Sequence, residues 1–336
     1  MLEPESVNVL QSVATWWMWA GFGIFVIAML SIDMLLLGRK GSHKVSAKEA
    51  LIWSIVWFTM ALSFGAALWG WLDYSAGRDI ADSKTMEYLT GYLLEKSLAM
   101  DNIFVFVMIF SYFAVPQAFQ KRILVYGVLG AILLRAIMIA LGAWLITQFH
   151  WVLYLFGAFL LVTGIKMFIF ADHEPNLANN PLLKWLKSHM RITDEYHGDQ
   201  FWIVKNGVVW FTPMFLVLVL IEFSDVIFAM DSIPAIFAIT SDPFIVFTSN
   251  IFAILGLRAL YFLLADMANR FHLLKYGLAI VLIFVGSKML IVDWFKVPVA
   301  ISLAVVVTVL STSIFLSILS SRSQKVITKL DNSADN

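Results

Sequence analysis

The sequence predicts an all-α polytopic membrane protein of about nine transmembrane helices, built around a 3+3 inverted-topology repeat. Three observations carry this. Of the 336 residues, 61% are hydrophobic and 14% are charged, whereas a soluble domain carries about a quarter charged residues. Apolar runs long enough to cross a bilayer recur along the whole chain. One acidic motif occurs twice, as EKSLAMDN at 95–102 and DVIFAMDS at 225–232.

A crossing helix needs about 20 apolar residues. Nine segments qualify: 15–37, 48–72, 87–113, 121–147, 150–171, 207–240, 243–266, 272–293 and 297–320. The start, MLEPESVNVLQSVAT, lacks the basic region of a signal peptide, so the first run is read as a retained helix. The sixth is long for one crossing and holds Pro213 and Pro234, so a break or kink is expected there. Residues 172–206 form the one long polar segment. Within it, PLLKWLKSHMRI predicts an amphipathic helix at the membrane interface. LDNSADN reads as a disordered tail.

Lys and Arg in the connections set the orientation. Fifteen fall on one side: Arg39, Lys40, Lys44, Lys48, Lys121, Arg122, Lys184, Lys187, Arg191, Lys205, Arg270, Lys275, Arg322, Lys325 and Lys329. The other side has Arg78, Lys84 and Lys296. This places the N-terminus outside and the C-terminus in the cytoplasm.

The two motifs align without gaps. Glu95 pairs with Asp225, AMD recurs at 99–101 and 229–231, and Asn102 pairs with Ser232. The match extends through GAILLRAIMIALGAWL and AILGLRALYFLLADMA, pairing Arg135 with Arg258. It continues through FHWVLYLFGAFLLVTGIKM and FHLLKYGLAIVLIFVGSKM, pairing Lys166 with Lys288. Each unit holds three crossings, an odd number, so the two units run in opposite directions. The organisation is then an N-terminal helix pair (1–86), repeat 1 (87–171), a cytoplasmic loop (172–206), repeat 2 (207–293), and a last helix with its tail (294–336). In secondary transporters of this plan the substrate site lies near the midplane between the repeats.

Five acids fall within crossings: Glu95, Asp101, Glu222, Asp225 and Asp231. Lys96, Arg135, Lys166, Arg258 and Lys288 balance them in number. Pairs of this kind can serve helix packing alone, but apolar residues would pack more cheaply. Intramembrane ionisable groups more often mark an ion pathway. Carboxylates with the Asn102 amide and the Ser232 hydroxyl are hard oxygen donors, suited to Mg²⁺, Ca²⁺ or Mn²⁺. Met100 and Met230 adjoin the aspartates; a thioether ligand would favour a transition ion, though packing is the simpler role. Glu95 and Asn102, seven apart, share a helix face, as do Asp225 and Ser232. Asp101 and Asp231 point about 120° away on an ideal helix. Lys96, Arg135 and Arg258 are expected to neutralise the carboxylates when no metal is bound. Lys166 and Lys288, near crossing ends, are expected to snorkel. Asp33 is read as interfacial. His173, His189 and His197, among Asp172, Glu174, Asp194, Glu195 and Asp199, are read as a solvated loop rather than a metal sensor.

The chain has no cysteine, which excludes disulfides and thiol redox chemistry by its own residues. It has no GxxxxGK[ST] loop for ATP. No hydrolase constellation and no basic nucleic-acid patch is evident, so neither an enzyme nor a permanently bound cofactor is expected.

GYLLEKSLAMDNIFVF, LVYGVLGAILLRAIMI, IEFSDVIFAMDSIPAIFAIT, DPFIVFTSNIFAILGLRALYFLL and KYGLAIVLIFVGSKMLIVD resemble the TerC family over roughly residues 15–320. That family is associated with tellurium resistance and with bacterial inner-membrane proteins. The resemblance implies Mn²⁺ export, with the acidic motifs as ligands: Glu95, Asp101, Asn102, Glu222, Asp225 and Asp231. The expected partners are Mn²⁺ (with Ca²⁺ as the alternative cation), protons and the lipid bilayer. A non-transporting redox modulator or partner-docking protein is the rival reading.

Overall fold

The computed structural model describes residues 12–40, 46–149, 151–169, 180–264, 273–295 and 297–334, with side chains except those of 33–40, 47, 101, 318 and 321–334. The described chain is mostly helical: α1 (Trp16–Lys40), α2 (Ala47–Ser75), α3 (Arg78–Tyr112), α4 (Gln117–Gln148), α5 (Val152–Ile169), α6 (Pro181–His189), α7 (Pro213–Phe237), α8 (Pro243–Leu255), α9 (Leu257–Leu264), α10 (Leu274–Leu290) and α11 (Val299–Ala334). A two-stranded antiparallel hairpin, β1 (Trp202–Lys205) and β2 (Val208–Phe211), lies between α6 and α7.

Local chemistry sets the helix starts. Ser46 accepts a hydrogen bond from the Glu49 amide at the head of α2, the first half of a capping box. Asn180 accepts from Leu182 and Leu183 at the head of α6, with Pro181 behind it. Asp242 does the same for α8 with Pro243. Each proline sits where the helix has no amide to satisfy.

Helices α2, α4, α5, α7 and α11 are long and apolar enough to cross a membrane, and the bent pair α8–α9 makes a sixth. The architecture is that of a polytopic membrane protein. The other expected crossings fall on α1, α3 and α10. Of these, α10 has 17 residues and α3 carries many charges.

Three expectations are corrected. Residues 207–212 do not open the sixth crossing: 208–211 are strand β2, and α7 begins at Pro213. Four apolar residues read alike as a strand or as a helix start. No break occurs at Pro234, since α7 runs on to Phe237; the proline lies in the last turn, where few bonds depend on it. The break falls instead between α8 and α9, which meet at Gly256 with a 40° bend. The tail does not begin at 330, because α11 continues to Ala334. Extending an existing helix adds hydrogen bonds without a new nucleus.

The packing is reciprocal. α3 lies against α8, and α4 against α7. The densest contact is α5 on α10, made through glycine. A Cβ at Gly157 would sit 3.1 Å from the Gly286 carbonyl, and one at Gly164 would sit 3.0 Å from that of Ala279. In the alignment above, Gly157 matches Ala279 and Gly164 matches Gly286. Each contact therefore maps onto the other when the two units are exchanged.

Candidate functional site: a buried carboxylate–arginine centre

Arg135 of α4 is 1% exposed and has four partners from three other helices. Its guanidinium grips Asp225 of α7 with two bonds, Nε to Oδ2 at 3.3 Å and Nη2 to Oδ1 at 3.1 Å. Nη1 donates to Ser232 Oγ of α7 and to Asn250 Oδ1 of α8, each at 3.3 Å. It also forms an ion pair with Glu95 of α3. All five side chains are buried. A lone charge here would be prohibitive, so the three ionic groups account for one another. Their formal sum is −1, and every group facing the guanidinium is a hard oxygen donor.

The heptad expectation holds for α7, where Asp225 and Ser232 face the same arginine. Arg135 is drawn to both motifs, through Glu95 of the first and Asp225 of the second. Asn102, seven residues after Glu95, is buried on α3. Asn250 was not anticipated; its signal was an amide inside the apolar run FTSNIFAIL.

The other candidate residues lie elsewhere. Glu222, one turn before Asp225, presses its carboxylate over Gly130 of α4, where a Cβ would collide with it. Its Oε2 is buried without a hydrogen-bond partner. Asp231 hydrogen-bonds Thr163 and faces Lys166, both on α5, so it belongs to a lateral cluster, as the 120° offset implies. The side chains of Asp101 and Asp33 lie outside those described, as do residues 172–174. Among the described residues, no three His, Asp or Glu side chains converge as a metal-binding group.

Lys96 does not touch the central carboxylates. Its ammonium donates to the Ala253 carbonyl at 3.2 Å, in the last turn of α8. A cation suits the negative end of a helix. Gly256 makes the approach possible, because a Cβ there would collide with Lys96 Nζ. Arg258 sits half-buried on α9, just past this break. Lys288 donates to Ser302 Oγ at 3.0 Å. Met230 is exposed and Met100 packs among apolar side chains, which fits packing better than ligation. Glu87, unanticipated, is buried near the start of α3; it accepts from Lys84 at 2.7 Å and from Thr240.

The polar segment folds as a cap. Leu183 and Leu186 of α6 and Phe201 join the core that holds Ile103, Phe106 and Val217. Asp199 pairs with Arg122, and Tyr196 donates to the Phe113 carbonyl at 2.8 Å. His189 stacks on Trp185, and His197 bonds the Glu195 carbonyl.

A buried Glu–Arg–Asp centre in an apolar helical bundle, with the duplicated motif at its heart, coincides with a family match. The model of the integral membrane protein TerC family fits residues 80–325. The chain belongs to the TerC family. It is 56% identical over 308 residues to Alx of Salmonella typhi, named as a candidate membrane-bound redox modulator, covering 92% of this chain and 96% of that one. Alx of Escherichia coli K12 is 57% identical, covering 90% and 94%. An uncharacterized membrane protein of Myxococcus xanthus, STKORF319, is 47% identical, covering 94% and 96%. No solved structure matches.

Proposed function

We propose that this TerC-family chain is an inner-membrane secondary transporter that exports Mn²⁺ from the cytoplasm to the periplasm in exchange for protons. In this reading it has nine crossings, an outside N-terminus, and an inverted repeat of 87–171 and 207–293. The observation that carries it is the convergence of Glu95 and Asp225, equivalent positions of the two motifs, on one buried arginine. The reciprocal glycine contacts of α5 and α10 support the repeat. Between inverted repeats is where such carriers bind substrate.

The donor set suits a hard divalent cation. Glu95, Asp225, Ser232 and Asn250 supply oxygens, and Arg135 holds the place a substrate cation would take. Substrate and arginine compete for the same carboxylates. Arrival of Mn²⁺ releases Arg135; protonation of the carboxylates releases Mn²⁺. Glu222, with a buried free oxygen one turn away, would be a separate stop on the cation's path rather than a ligand of the same ion. Asp231 would then act beside the centre rather than in it. Mn²⁺ over Ca²⁺ follows from the family resemblance, since oxygen donors accept either ion.

The rival role, redox modulation, takes its support from the names of the Alx relatives. With no cysteine in the chain, it would need a partner or a cofactor.

The test is Mn²⁺ flux into liposomes with an interior reporter. The native chain should carry Mn²⁺, faster as pH rises through the range where carboxylates titrate, because protons and metal compete. Asp225→Asn should abolish flux, and Asp101→Ala/Asp231→Ala should reduce it. Equal flux in Asp225→Asn overturns the site, and a flat pH profile overturns proton exchange. No flux at any pH favours the redox or docking role.

A further inference from the structure

We propose that the β1–β2 hairpin is a membrane-surface anchor whose apolar face lies in the headgroup–acyl boundary of the leaflet from which α7 enters. The register pairs Trp202 with Phe211 and Val204 with Val209. Alternate strand residues share a face, so Trp202, Val204, Val209 and Phe211 lie together. Trp202 is 58% exposed, Val204 68% and Val209 47%. The opposite face carries Ile203, Lys205, Val208 and Trp210. It lines a polar cavity of about 550 Å³ together with Arg191, Asp194, Glu195 and His197. The hairpin thus has one wet face and one uncharged apolar face, the pattern of an interfacial element.

Its position selects lipid as the occupant. Only Thr212 separates Phe211 from the first residue of α7. The Phe211 ring packs on Phe215 of α7 with centroids 4.5 Å apart, so the apolar face continues into the surface of a crossing helix. The base is held in place. Phe211 bonds both ways with the 191–193 segment at 2.8 Å, and the Thr212 amide donates to the Phe201 carbonyl at 3.0 Å. Four residues per strand span about 13 Å, so the face stays close to the bilayer surface. Tryptophan beside β-branched aliphatics suits that depth.

This inference rests on α7 crossing the bilayer and is independent of the transported ion. The chain has no cysteine, so single-cysteine variants can be spin-labelled in the full-length protein. Val204→Cys, Val209→Cys and Lys205→Cys would be labelled and reconstituted in phosphatidylethanolamine–phosphatidylglycerol vesicles. Collisions with oxygen and with a water-soluble nickel chelate would then be compared. Labels at 204 and 209 should be severalfold richer in oxygen relative to chelate than the label at 205. Adding Val204→Asp should move the 209 label into water while the protein stays monodisperse. Equal chelate access at 204 and 205 overturns the anchor. Protection that grows with protein-to-lipid ratio overturns it in favour of a second copy. A label at Ile227, exposed on α7, reads the bilayer directly, so failure of the spanning reading would show there instead.

Discussion

Removing Arg135 should cost more than removing either of its acids. At the 3.1 Å Arg135–Asp225 separation, the gross attraction is about 5 kcal/mol at an effective dielectric near 20. Desolvation offsets much of that, so the intact cluster contributes little net stability. Deleting one partner, however, exposes the cost of the charges left behind, about 3–5 kcal/mol for a buried pair. Arg135→Gln leaves Glu95 and Asp225 facing each other with a formal charge of −2 and no cation. Asp225→Asn leaves Glu95 and Arg135 balanced at zero. Arg135→Gln should therefore unfold far more readily than Asp225→Asn, measured as loss of the monodisperse species on heating in detergent. Mn²⁺ or low pH should rescue Arg135→Gln, since either neutralises the carboxylates. Mn²⁺ at a hundred times its Kd would restore about 2.7 kcal/mol. Equal stability of the two variants, or no rescue by Mn²⁺, would refute the reasoning.

Other outcomes follow from packing and the cap. Gly286→Ala would set a Cβ 2.7 Å from the Leu161 amide nitrogen and should destabilise by about 1–3 kcal/mol, read in the same heating assay. Gly130→Ala should evict the Glu222 carboxylate and slow cation flux while leaving assembly intact; unchanged flux would remove Glu222 from the path. Arg122→Ala breaks a partly exposed pair with Asp199 and should cost under about 1 kcal/mol, yet speed amide exchange across 195–201. Burial pushes the Tyr196 hydroxyl up to about 12. The fold favours its neutral form, so its contribution is intact below pH ~10 and lost as pH rises toward the folded value. Ultraviolet titration against Tyr196→Phe should place this tyrosinate late; ionisation near the ordinary tyrosine value would refute it.

Much of the helical layout was legible because apolar runs of about 20 residues have few other uses. The α6 helix was legible from its two-sided pattern. The seven-residue spacing put Asp225 and Ser232 on one face, and Arg135 meets both. What was not legible depends on contacts between distant segments. Nothing near Asn250 marks it as an Arg135 partner, because the two lie 115 positions apart. Lys96 reads as a counter-ion by proximity to Glu95, yet one step along a helix turns it about 100° away, toward the end of α8. The hairpin at 202–211 was hidden because its second strand is an apolar run adjoining a longer one. The break at Gly256 gave way in expectation to Pro234, because a proline announces itself locally whereas the Lys96 ammonium that fills the break comes from α3.

The α5–α10 seam has a mechanical consequence. Helices that interlock through large side chains must lift knobs out of holes before one can turn on the other. Here Met289 and Leu290 sit over Gly157 and Ile283 over Gly164, while Gly286 meets the Leu161 backbone. The seam behaves as a keyed joint. It fixes the distance between the two helices and resists rotation about their line of contact, so α5 and α10 are expected to move as one body.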